Sequence, residues 1–78
     1  MNNREIYVKV FLDTLGVEEK ELEGLKYQDV PSWDSVGHMS LMAELEEAFD
    51  IMMDTEDILD FSSFEKGFEI LNNYDVEF

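Results

Sequence analysis

Ile6, Tyr7, Val10, Phe11 and Leu15 recur at three- and four-residue steps, which places them on one face of an amphipathic helix. Gly16 follows the last of them and suits a left-handed cap, so the first helix is predicted over roughly Asn3 to Leu15. From Gly16 to Trp33 no period is sustained. Val17, Leu22, Leu25, Val30 and Trp33 are spaced instead as anchors for a long loop, with a short helical turn expected between Glu18 and Leu25. The clearest helix starts behind Asp34, whose carboxylate can accept from the free N–H groups of a first turn. Met39, Met42, Leu45 and Phe49 form its stripe, widened by Leu41 and Ala48, and methionines at helical spacing belong ordinarily to a core. Glu44, Glu46 and Glu47 fall largely off that stripe, on faces available to solvent or to a partner. Thr55 to Phe61, with Ile58, Leu59 and Phe61 apolar, reads as a brief third helix. In "SSFEKGFEILNNY", Ser62 and Glu65 have the spacing of a capping box, Phe64, Phe68 and Leu71 share a face, and Asn72 and Asn73 suit the helix end.

No alternating strand pattern, repeat, low-complexity tract or dividing linker competes with this reading. The expected fold is all-α: residues 1–78 form a single domain of three main helices plus one short helix, a small bundle with a long first loop. Chains of this size bury only about 60% of the surface they expose when unfolded. That argues against a large enclosed active site, while six Phe, three Tyr and one Trp supply the core.

Charge narrows the partners. Twenty acidic and five basic side chains leave a net charge of −15, and from Tyr27 through Glu65 there is neither Lys nor Arg. A field of that sign repels phosphate backbones and anionic lipid and attracts basic protein surfaces, so neither nucleic acid nor membrane is expected as a partner. There is no cysteine, hence no disulfide, thiolate site or cysteine nucleophile. The first residues carry no apolar run of signal-peptide length, and the expectation is a cytoplasmic monomer.

"PSWDSVGHMSLMAELEEAFD", Pro31 to Asp50, poses the chemical question: Ser35 stands between Asp34 and His38 at the head of a helix. A catalytic triad needs the histidine between serine and carboxylate in space, an oxyanion hole and a substrate pocket, and three near neighbours on one turn rarely provide them. No G-x-S-x-G elbow is present. A single imidazole makes a poor metal site, and His38 is expected on the exposed side of the helix. "DIMMDTEDILD" lacks the glycine and spacing of a calcium loop. Neither catalytic nor metal-ligating residues are therefore assigned. The third option is attachment: a phosphodiester on a serine hydroxyl at a helix N-terminus sits where the free N–H groups and helix dipole favour an anion. Asp34 beside it could help an incoming enzyme hold Mg²⁺ during the transfer and at no other time.

"WDSVGHMSLMAELEEAFDI" resembles the acyl carrier protein family, in which Asp-Ser followed by an apolar residue opens the second helix. The tripeptide alone is common. Its specificity comes from its place halfway along a chain of carrier size, from Leu45, Glu46, Glu47 and Phe49 behind it, and from a closing helix after Ser62. The resemblance spans essentially the whole chain. It implies that Ser35 carries covalent 4′-phosphopantetheine, that Asp34 is the acidic residue assisting its transfer, and that Val36, Glu46 and Glu47 meet partner enzymes. Those partners would be a phosphopantetheinyl transferase and acyl- or aminoacyl-loading and processing enzymes with basic patches. Trp33 before the motif, and Gly37 and Ser40 where fatty-acid carriers commonly have acids, look closer to specialised stand-alone carriers than to that subgroup. Fatty-acid and specialised biosynthesis thus both stay open. So does an unmodified acidic adaptor, in which Ser35 is a helix-start serine and Glu46 and Glu47 a solvated face.

Overall fold

In a computed structural model, which describes residues 2–78, α1 occupies Asn3–Leu15, the span its periodicity predicts. The Asn2 side chain accepts from Glu5 N–H at its start (2.8 Å), and Gly16 ends it at φ 67°, a left-handed geometry that glycine adopts without penalty. Tyr7, Phe11 and Leu15 are its buried face. The loop that follows contains a 3₁₀ turn at Glu19–Glu21 and is pinned by its anchors: Leu22, Leu25 and Trp33 are buried, Val17 and Val30 partly so.

The second half of this loop is a knot of hydrogen bonds. Lys26 N–H donates to Asp29 Oδ2 (2.9 Å), Gln28 N–H to the Trp33 carbonyl (3.0 Å), and the Ser32 hydroxyl to the Leu15 carbonyl (2.7 Å). Tyr27 N–H donates to the Ser62 carbonyl and Phe64 N–H to that of Leu25, both at 2.9 Å, which sews the loop to the start of the last helix as an isolated bridge between Lys26 and Ser63.

The second helix, α2, spans Ser35–Phe49 and makes the closest helix pair with α1. Its buried side chains are Leu41, Met42 and Leu45. The stripe is therefore turned from the expected one: Met39 is 56% exposed and Ala48 is exposed, because Trp33 and the loop cover the face one residue earlier, where His38 lies. A six-residue helix, α3 (Thr55–Asp60), buries none of its own side chains; Phe61 directly after it does the anchoring. The last helix, α4, spans Phe64–Asn72. Ser63, not Ser62, caps it by accepting from Lys66 N–H (3.0 Å), so the expected box of Ser62 and Glu65 is not formed. The bridge explains the shift: it takes up the Ser62 carbonyl and Phe64 N–H, while Glu65 accepts from Gly24 N–H across the loop (3.2 Å).

The result is an all-helical bundle of three main helices and one short one, with no strand among the described residues. Its core is ring against ring. Phe11 meets Trp33 (5.5 Å between ring centres) and Phe64 (5.1 Å), and Tyr7 meets Phe11, Phe64, Phe68 and Phe78 at 4.6–5.5 Å. The Tyr7 hydroxyl donates to the Phe64 carbonyl (2.7 Å), and its phenol is held neutral far above its ordinary range, first by burial and then by the nearby Glu65 charge. Gly67 lies so close to that hydroxyl and to the Phe61 ring that a methyl group there would overlap both. Among the described residues no helix is long and apolar enough to cross a membrane.

Candidate functional site

Ser35 is the first residue of α2 and is exposed. The helix is capped by Asp34, whose Oδ1 accepts from Gly37 N–H (2.8 Å), so capping does not occupy the serine hydroxyl. Gly37 is dictated by packing: a Cβ there would fall on the Ser32 carbonyl oxygen, which crosses the first turn of the helix. The loop thus presses directly on the segment that presents Ser35, and Ser32 is itself tied to the end of α1. An acidic residue at position 37 is sterically excluded by this crossing.

His38 is not the surface residue expected from the sequence. It is partly buried, with Nδ1 3.0 Å from Trp33 Nε1 and Nε2 2.8 Å from the Ile58 carbonyl oxygen. Its ring is stacked over Trp33 at 20° and meets Tyr27 and Phe61 edgewise. With both nitrogens engaged in this way, Ser35, His38 and Asp34 do not form the nucleophile–base–carboxylate chain of a triad. Among the described residues no group of three or more His, Asp or Glu side chains is gathered as a metal site.

Beside Ser35 lies an open groove of about 300 Å³. Met39 and His38 of α2 form one wall, Ile58 and Leu59 of α3 the other, with Phe61 and Tyr27 behind and Ser62 at the edge. Leu59 is 77% exposed on its rim, and Val36, next to Ser35, is 74% exposed. No local pattern in the chain signals this groove, because its walls come from three segments that meet only in the fold. Trp33 and His38, five positions apart around the motif, were the one pairing that could have drawn notice.

The acidic positions divide. Glu47 is exposed, but Glu46 is half-buried and its Oε2 accepts from Met53 N–H (2.8 Å), which ties the end of α2 to the turn before α3. The expectation that both project freely holds for Glu47 alone. Among the described residues the ion pairs are Lys9–Asp13, Lys20–Glu18 and Lys66–Glu69, and none involves a carboxylate of α2 or α3. The face around Ser35 therefore combines exposed apolar side chains with uncompensated negative charge.

The chain matches no family model, no curated protein and no solved structure. The case for its function rests on the geometry around Ser35 and on the motif.

Proposed function

We propose that this chain is a free-standing acyl or aminoacyl carrier protein, modified on the Ser35 hydroxyl by a phosphopantetheinyl transferase and itself without catalytic activity. One observation carries the reading: Asp34 caps α2, so the exposed Ser35 has no part in capping, although a serine at a helix start ordinarily serves as the cap. A side chain spared from that work, on a rigid helix head, suits covalent attachment. The residues present fit a phosphodiester-linked arm. The hydroxyl is accessible, the first turn of α2 brings the positive end of a helix dipole, and no acid stands at position 37 to oppose the phosphate. Such an arm ends in a thiol and supplies thioester attachment of cargo; in a chain without cysteine it is the only thiol. Val36 and Glu47, both exposed beside or beyond Ser35, are the contacts offered to basic partner enzymes, while Glu46 serves chiefly to hold the α2–α3 turn.

The test is intact mass after incubation with coenzyme A, Mg²⁺ and a broad-specificity phosphopantetheinyl transferase, with Ser35→Ala alongside. The expected result is one added phosphopantetheinyl group on the parent and none on the variant, with the two equally stable to within about 0.5 kcal/mol. A folded parent that gains no mass would refute the carrier reading. The acidic, apolar-rimmed face would then stand as the docking surface of an unmodified adaptor, whose binding survives Ser35→Ala.

A further inference from the structure

We infer that His38 is a proton-sensitive clasp that holds the two walls of the groove beside Ser35 together, and does so only as the neutral imidazole. The hydrogen bonds fix its state. An indole N–H can only donate, so Nδ1 must accept from Trp33, which leaves the ring proton on Nε2, where it donates to the Ile58 carbonyl. One ring thereby joins the loop, α2 and α3. A second proton, taken from water onto Nδ1, would set an N–H donor against the indole N–H. Trp33 cannot yield, since it is fully buried in the core and pressed edgewise on Phe11. With α2 held in place, the imidazolium ring can part from the indole only by rotating about its own side-chain bonds, and that rotation draws Nε2 away from the Ile58 carbonyl although the charged ring is the stronger donor.

The fold determines which wall then moves. α2 is packed on α1 through Leu41, Met42 and Leu45, whereas α3 has six residues, none of them buried. The Ile58–Leu59 wall is the yielding one, and Ser35 stands on the wall that stays. The titratable groups of the segments around His38 are Tyr27, flanked by Lys26 and Asp29, in the second half of the loop, Asp34 at the head of α2, and Glu56, Asp57 and Asp60 in α3; Glu44, Glu46 and Glu47 lie further along α2 and Glu18 to Glu23 in the first half of the loop. None is paired with the ring; Asp34 and Asp57 are engaged with Gly37 N–H and the Tyr74 hydroxyl. The inference does not depend on Ser35 being modified.

The chain has one histidine and one tryptophan, so each has an unmixed signal. The experiment follows the ¹⁵N imidazole resonances, Trp33 fluorescence and amide exchange over Ile58–Phe61 from about pH 8 to about pH 5.5, the range in which imidazoles titrate ahead of most carboxylates. The expected result is an Nε2–H tautomer at the upper end. On protonation, Trp33 emission changes and exchange in α3, corrected for its intrinsic pH dependence, accelerates on the order of tenfold, as loss of one hydrogen bond produces. All three signals share one midpoint. His38→Gln, whose amide can accept from Trp33 and donate to Ile58 without titrating, flattens the Trp33 and α3 responses. An Nδ1–H tautomer, an imidazole that titrates while Trp33 and α3 stay unchanged, or one that stays neutral until the whole chain unfolds would each overturn the clasp. So would a folded His38→Gln that keeps the step. Should His38→Gln fail to fold, the shared midpoint in the parent decides.

Discussion

The side of the bundle built from α1 and the start of α4 buries the rings of Tyr7, Phe11 and Phe64, while the side built from the head of α2 and α3 leaves Val36, Met39 and Leu59 in water. On the first side even the polar atom of Tyr7 is provided for, and Gly67 leaves no space unfilled. On the second, each of these apolar side chains forgoes the larger part of the roughly 1.5–3 kcal/mol that full burial would contribute. In a chain of 78 residues, whose expected stability is about 5–15 kcal/mol in all, that is a substantial sum left unused beside one serine. The difference teaches where the chain keeps its fold and where it keeps a surface for something else.

The sharpest way to break the comparison is to strike the ring-packed side. Phe11→Ala removes a fully buried ring that touches Tyr7, Trp33, Phe61 and Phe64, and is expected to cost about 3–5 kcal/mol, a large share of the stability of a domain this small. Urea unfolding followed by circular dichroism reads this directly; a loss under about 1 kcal/mol would mean that the core is far looser than described.

Tyr7→Phe is the next largest, at about 1–3 kcal/mol, because the buried Phe64 carbonyl loses its hydroxyl donor. It also carries a pH signature. The folded chain holds the Tyr7 phenol proton more tightly than the unfolded chain, in which tyrosine ionises near about pH 10. The Tyr7 contribution is thus intact below that pH and lost progressively above it. Tm measured from about pH 8 to pH 11.5 should fall more steeply for the parent than for Tyr7→Phe, and parallel curves would remove Tyr7 from the account.

The smallest expected effect comes from the other side. Leu59→Ser should change stability by no more than about 0.5 kcal/mol, since a side chain already in water has little to lose. A cost of 2 kcal/mol in the same urea experiment would show that the groove rim belongs to the core after all.

What could be read from the chain alone follows the range of the interactions involved. α1 was legible because its apolar face and terminal glycine are local, although its Asn2 cap was not read, and Asp34 as the cap of α2 was legible for the same reason. Position 39 was misjudged because periodicity cannot say where a helix face ends once a distant ring lies against it; Trp33 claims His38 and leaves Met39 in water. The cap of α4 moved by one residue because Leu25 and Tyr27, far away in sequence, claimed the backbone of Phe64 and Ser62. Glu46 looked free because its partner, Met53 N–H, lies beyond a left-handed turn at Asp50. Ser35 itself stood out from the motif, but the groove beside it needed the fold.

The loop carbonyl that crosses Gly37 bears on how such a chain can change length. Around Glu18–Gly24 the hydrogen bonds run mostly within the segment itself, the Gly24 link to Glu65 and the buried Leu22 apart, and an extra residue in the exposed 3₁₀ turn can be absorbed there. Between Lys26 and Asp34 nearly every step is fastened, to Asp29, to Ser62, to Trp33 or to Leu15. One residue gained or lost there would carry Ser32 off the first turn of α2 and re-aim the serine with it. Insertions and deletions among descendants of this sequence should therefore collect in the first half of the loop and spare the second.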